Sequence, residues 1–233
     1  MRRLVLVAAV ISTIAVGGCA ETSDGHPVAG PTDHQTATST SSTSTRTSTS
    51  TTEPAPPEFP TMGVTPTLRD AVPPNALVCL PTPTPGTPAT AQIGDAGAPR
   101  IVIAMPEGWT SAPAPQGLAL TGPDGMSGAV EISQTDLDAA AAFEKYSDDL
   151  AAEAPISSIS VLPAENCGYS GQRLMGVLSG GPQGKVSYED RISHIWTNAK
   201  DYLVVIHVAA PQGSPAFDAA TTAMTADFAI TLP

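Results

Sequence analysis

Between residues 32 and 52, 16 of 21 positions are Ser or Thr, and the proline-rich string Glu53-Pro54-Ala55-Pro56-Pro57-Glu58 follows. A stretch with so few apolar side chains cannot bury enough surface to offset the cost of ordering its backbone, so it is expected to be disordered or extended. Any folded core must therefore lie beyond it. The sequence divides into a leader over 1–18, a Ser/Thr/Pro-rich disordered tether over 19–65 and a globular domain over 66–233. A domain of that length buries about 70% of the surface its unfolded chain exposes.

The leader carries Arg2 and Arg3 ahead of an apolar run from Leu4 to Val16, too short to remain in a bilayer as a spanning helix. It ends Val16-Gly17-Gly18-Cys19, which resembles the lipobox of bacterial lipoproteins: an aliphatic residue, two small ones, then Cys. The resemblance implies that Cys19 receives a diacylglycerol (palmitate-type chains) and becomes the mature N-terminus. Two acyl chains at about 0.8 kcal/mol per buried CH₂ anchor a protein without a transmembrane helix. The expected location is the cell membrane, on its extracytoplasmic face within the cell envelope.

Ten Lys plus Arg stand against 22 Asp plus Glu, a net charge of −12, which removes the electrostatic basis for nucleic-acid binding. With Cys19 acylated, Cys79 and Cys167 remain as an even pair in an oxidising compartment and are expected to form a disulfide; the alternative is two buried thiols.

Alternating or continuous apolar runs predict strands over 100–105, 117–121, 128–134, 156–162, 169–179, 185–196 and 202–209. The last two flank the polar turn Thr197-Asn198-Ala199-Lys200-Asp201 and should pair antiparallel. A helix is predicted over 136–153, with Ala139, Phe143, Tyr146 and Leu150 on one face and Thr135 or Asp136 as its cap. A second is predicted over 215–228, capped by Ser214, with Phe217, Ala220, Met224 and Phe228 as its stripe. Strands, a helix, more strands and a closing helix predict an α+β fold in which helices flank an antiparallel sheet.

The lipobox, the tether, a strand leading into Met105-Pro106-Glu107-Gly108-Trp109, an Ala-rich helix, a long hairpin and a closing helix together resemble the LpqN and LpqT type of mycobacterial lipoprotein. That resemblance spans most of 95–233 and leaves 62–90, with Cys79, unmatched. It implies a fold like the PsbP subunit of photosystem II and a non-enzymatic envelope protein that binds lipids or other envelope proteins.

No Gly-x-Ser-x-Gly, Cys-x-x-Cys, His-Glu-x-x-His, calcium loop or phosphate-binding Gly loop occurs, so no catalytic residue, metal or cofactor is expected. Gly180-Gly181-Pro182-Gln183-Gly184 reads as a hairpin turn, and the adjacent Asp148 and Asp149 as a solvated helix face. Along 186–196 the even positions share one face, among them Tyr188, Asp190, His194 and Trp196. Asp190 and His194 lie about 13 Å apart on such a strand and cannot form a dyad. His207 has other neighbours, Leu203 and Val205. Tyr188, His194 and Trp196 are expected to line a groove for an apolar ligand with a polar head; the alternative is a half-buried sheet face whose histidine is merely hydrogen-bonded. The function these features favour is a membrane-anchored binding lipoprotein. The competing functions are a structural or adhesive surface antigen, and a secreted hydrolase using His194 or His207 as its base.

Overall fold

The computed structural model describes residues 61–233 apart from 68, 154, 155, 182 and 183. The leader, Cys19 and the tether up to residue 60 lie outside the described residues.

Among the described residues are eleven strands, two α-helices and a single 3-10 turn at Pro123–Gly125. In chain order the strands and α-helices are β1 (Leu77–Cys79), β2 (Thr87–Ala91), β3 (Arg100–Met105), β4 (Thr110–Ala114), β5 (Gly117–Thr121), β6 (Ser127–Thr135), α1 (Ala139–Glu153), β7 (Ile156–Pro163), β8 (Gly171–Gly181), β9 (Gly184–Trp196), β10 (Asp201–Pro211), α2 (Phe217–Met224) and β11 (Ala229–Thr231). A seven-stranded sheet runs β4-β5-β6-β10-β9-β8-β7 and a four-stranded sheet runs β1-β11-β3-β2, all neighbours antiparallel.

This corrects the expected α+β architecture: the domain is mostly β, with two sheets where one sheet between helices was predicted. The difference comes from strands that carry little hydrophobic signal. β1 and β11 are three residues long, and β2 and β4 read TPATA and TSAPA, which lack the large alternating side chains that announce a strand. With β3 between them, β2 and β11 cover the face of the large sheet that a longer second helix was expected to cover. That helix stops at Met224; Ala216 caps it without a side-chain bond, while Ser214 Oγ donates to the Pro211 carbonyl. Phe228 lies beyond the helix and still fills the same core.

β10 separates two apolar clusters because strand side chains alternate. Its even positions, Tyr202, Val204, Ile206, Val208 and Ala210, face the core shared with the four-stranded sheet and α2. Its odd positions Leu203, Val205 and Ala209 face α1. The stripe expected on α1 holds: Ala139 and Phe143 are buried and Tyr146 and Leu150 pack beside them. Burying a side chain such as Phe143 contributes about 1.5–3 kcal/mol. The cap differs from expectation by two residues, since Asp138 Oδ1 accepts from Ala141 N at 2.9 Å and Thr135 Oγ1 instead closes a turn with Leu137 N.

The turn between β3 and β4 depends on two glycines. Gly108 sits at φ +82°, in the left-handed region that favours glycine, and delivers Trp109 into the core. The Trp109 ring lies on Gly122, where a Cβ would fall 2.5 Å from the indole. Within β9, buried Arg191 donates to the Glu165 carbonyl and pairs with Asp227 at 3.0 Å, while Thr225 donates to Glu189. These bonds fasten the end of α2 to β9.

The sulfurs of Cys79 and Cys167 are bonded, closing a separation of 88 residues and tying β1 to the loop before β8. Packing begins ahead of residue 66: Gly171 N donates to Gly63 O, Gln172 Nε2 to Met62 O, and Thr65 N to Ser170 Oγ.

Candidate functional site

α1 crosses the α1-facing side of the large sheet without covering β6 completely. The space left between them is a groove of about 470 Å³ whose sheet wall comes from β6 and β10 and whose helix wall carries Ala142, Lys145, Tyr146 and Leu150. Leu203 and Val205 make its floor apolar. His207 opens into it from the same strand with 31% of its side chain exposed, and Glu131 lines the facing strand.

His207 is held from behind. Its Nδ1 donates to Asp190 Oδ1 at 2.5 Å across the β9–β10 ladder, and Tyr146 Oη donates to Asp190 Oδ2 at 2.9 Å from α1. Asp190 is fully buried, and each of its carboxylate oxygens has a side-chain partner, as a buried polar group requires. Burial opposes the charged imidazole, but the hydrogen bond and charge of Asp190, with Glu131 adding, raise the His207 pKa above its ordinary 6.5. Burial and the same carboxylate push the Tyr146 phenol far up, so it stays a donor. At the rim Lys145 and Asp149 form an exposed pair at 2.9 Å, one helical turn apart. Chemically, the groove offers an apolar floor, polar side chains from Glu131, Ser133, Gln134 and Lys145, and one fixed imidazole whose Nε2 is not used by Asp190.

The three residues expected to line a groove do not stay together. Tyr188 is buried among α1 and its neighbours, its phenol pushed up to about 12 by burial and the charge of Asp190. His194 and Trp196 instead share a second cavity, of about 360 Å³, at the turn end of β9, with Tyr169, Val72 and Leu232. Arg69 lies over the Trp196 ring at 5.6 Å and pairs with Asp201 at 3.2 Å.

Asp190, His207 and Tyr146 were not expected to act together. The hairpin's own register carries that information: Trp196 pairs with Asp201, and six residues back on one strand (196 − 190) and six forward on the other (207 − 201) bring Asp190 opposite His207. Tyr146 could not be found this way, because nothing local fixes how a helix crosses a sheet.

Among the described residues no group of His, Cys, Asp and Glu side chains is arranged to hold a metal ion, and no helix is long and apolar enough to cross a membrane. Compared with known proteins, the chain matches no protein family and no curated protein. Among solved structures it is similar to LpqN of Mycobacterium tuberculosis, described as involved in cell envelope biogenesis, with 19% identity over 62% of this chain and 91% of that one and a TM-score of 0.49.

Proposed function

We propose that this domain is the ligand-capturing head of a lipid-anchored envelope protein, and that the groove between α1 and β6–β10 receives an amphiphile. The observation that carries this is an oriented imidazole, His207, beside the apolar side chains of Leu203, Val205 and Leu150, in a groove whose lining also carries Glu131, Ser133, Gln134 and Lys145. A fixed polar group next to apolar surface orients an amphiphilic ligand: the aliphatic part lies along Leu203, Val205 and Leu150, and its polar end meets His207 Nε2. The lipobox ending in Cys19 supports presentation of that head outside the cytoplasm, and the Ser/Thr-rich segment supports a spacer.

The test is binding of a dansyl-labelled dodecyl chain, followed by dansyl emission. Wild type should bind saturably. Ser133→Trp, which fills the groove from a half-buried position, should abolish binding and leave the far-ultraviolet circular dichroism unchanged. Equal binding by the folded variant would remove the groove as the site.

The Asp190–His207 pair favours a second reading, since a carboxylate that fixes an imidazole is also the orienting half of an acid–base device. Among the described residues no hydroxyl or thiol side chain hydrogen-bonds that imidazole, so water would have to be the nucleophile. Turnover of p-nitrophenyl esters that disappears in His207→Gln would establish hydrolysis in place of capture.

A further inference from the structure

The two sheets end in four edge strands, and three of them are built against further pairing. β1 is three residues long, and β2 and β4 carry prolines, Pro88 and Pro113. β7, the outer strand beside β8, differs. It reads ISSISVLP over Ile156–Pro163, with no charged residue, no glycine and no proline before its last position. Ile159 is 40% exposed and Leu162 48%, two of the six large hydrophobic side chains that face solvent among the described residues. A long uncharged edge strand offers its free N–H and C=O groups to another strand.

The ladder shows which groups those are. Ala164 N donates to Gly171 O, so position 164 turns toward β8, and by antiparallel alternation positions 162 and 160 do the same. Ile159 and Val161 therefore turn their N–H and C=O outward. A second β7 laid antiparallel, with the two Ser160 residues opposite each other, sets Ile159 of each copy against Val161 of the other. All four outward N–H groups then meet outward C=O groups. Val161 packs on the α1 side of the sheet, and Ile159 shares that side by alternation, so the two Ile and two Val side chains adjoin. Leu162 falls opposite Ser158 on the other side.

Charge and chain direction select the occupant. Over 61–233 there are 17 acidic against 7 basic residues, so two copies repel over most of their surface and can approach along an uncharged edge. Thr61, the first described residue, lines a shallow recess on the α1 side together with Val161 and Glu144. A two-fold axis perpendicular to the sheets keeps both α1 sides together, so residues 1–60 of both copies leave from one face, near the axis. Two chains whose leaders enter one membrane can pair in this way. We propose that β7 is a dimerisation edge, at which two copies of this chain join β7 to β7 about a two-fold axis at Ser160. The proposal does not rest on the reading of the groove at His207.

One strand a side falls well short of the roughly 20–30 residues a side of a stable interface, so dimer should appear only between about 10 µM and 1 mM. The full chain carrying Cys19→Ala, which removes the acylation site, is followed by sedimentation in about 0.3 M NaCl, which screens Glu144 of one copy from that of the other. Monomer should give way to dimer as concentration rises, and amide exchange at Ile159 and Val161 should slow several-fold with it. Ile159→Asp, at an exposed side chain, should weaken dimerisation at least tenfold, whereas Leu77→Asp on the exposed edge strand β1 should leave it unchanged. A chain that stays monomeric to about 1 mM would overturn the proposal. So would dimerisation that Ile159→Asp leaves intact, or that Leu77→Asp weakens equally. Ile159 and Val161 amides already protected in the dilute monomer would also overturn it, because the chain's own residues would then cover the edge. Exchange at the unsubstituted edge decides the matter even where a variant does not fold.

Discussion

Asp190 is the residue on which three elements converge, since β9 supplies it, β10 supplies His207 and α1 supplies Tyr146. The His207 pKa is raised in the fold by Asp190 and Glu131 against the effect of burial. A group whose folded pKa lies above its unfolded value adds stability that is complete below the unfolded pKa and fades as pH rises through the folded one. His207→Gln should therefore cost about 1 to 2 kcal/mol near pH 5.5, and the difference from wild type should shrink as pH rises above the ordinary imidazole value through the raised one. Urea midpoints measured across that range check this; a difference that stays constant with pH would mean that the Asp190–His207 charge pairing contributes nothing. None of this was visible in the spacing of Asp190 and His194 on one strand. The relevant spacing runs across the hairpin, and it becomes legible only once the closing pair, Trp196 and Asp201, is fixed to the residue.

Elements with large alternating side chains were legible and elements without them were not. β3, β5 and the β9–β10 hairpin stand where Ile, Val, Leu and Tyr recur at every second position, and α1 where apolar residues step by three and four. β2 and β4 are built of Thr, Ser, Ala and Pro, so they become strands through pairing with β3 and β5 and not through propensity. β1 is the extreme case, pairing only with β11 and with Leu77 exposed. The Cys79–Cys167 bond compensates by closing an 88-residue span, a constraint that the chain-entropy account values at about 4 to 5 kcal/mol. The double variant Cys79→Ser/Cys167→Ser should lose about 2 to 5 kcal/mol in urea unfolding. Its β1 amides should exchange with solvent ahead of those of β10. Unaltered stability and unaltered β1 protection would show that pairing with β11 suffices.

At the scale of the molecule, the proposed anchor and the folded head can be tested separately. Cys19→Ala should shift the full chain from the detergent phase to the aqueous phase on Triton X-114 partition while leaving the melting of the domain unchanged. Equal partition of both forms would remove the acyl anchor. The order of elements has a mechanical consequence as well. Tension applied to the chain ahead of residue 61 arrives first at Met62, Gly63 and Thr65, which are bonded to Gln172, Gly171 and Ser170. From there it passes into β8, an interior strand of the seven-stranded sheet. The segment between Thr65 and Cys79 is clamped at one end by Ser170 and at the other by Cys167, so force is shunted past it. The outer wall of the His194 cavity, with Thr67, Val72 and Val78, lies in that shielded segment, which Arg69 and Val72 also bond to Asp201 and Asn198, and it keeps its shape while the stem is pulled.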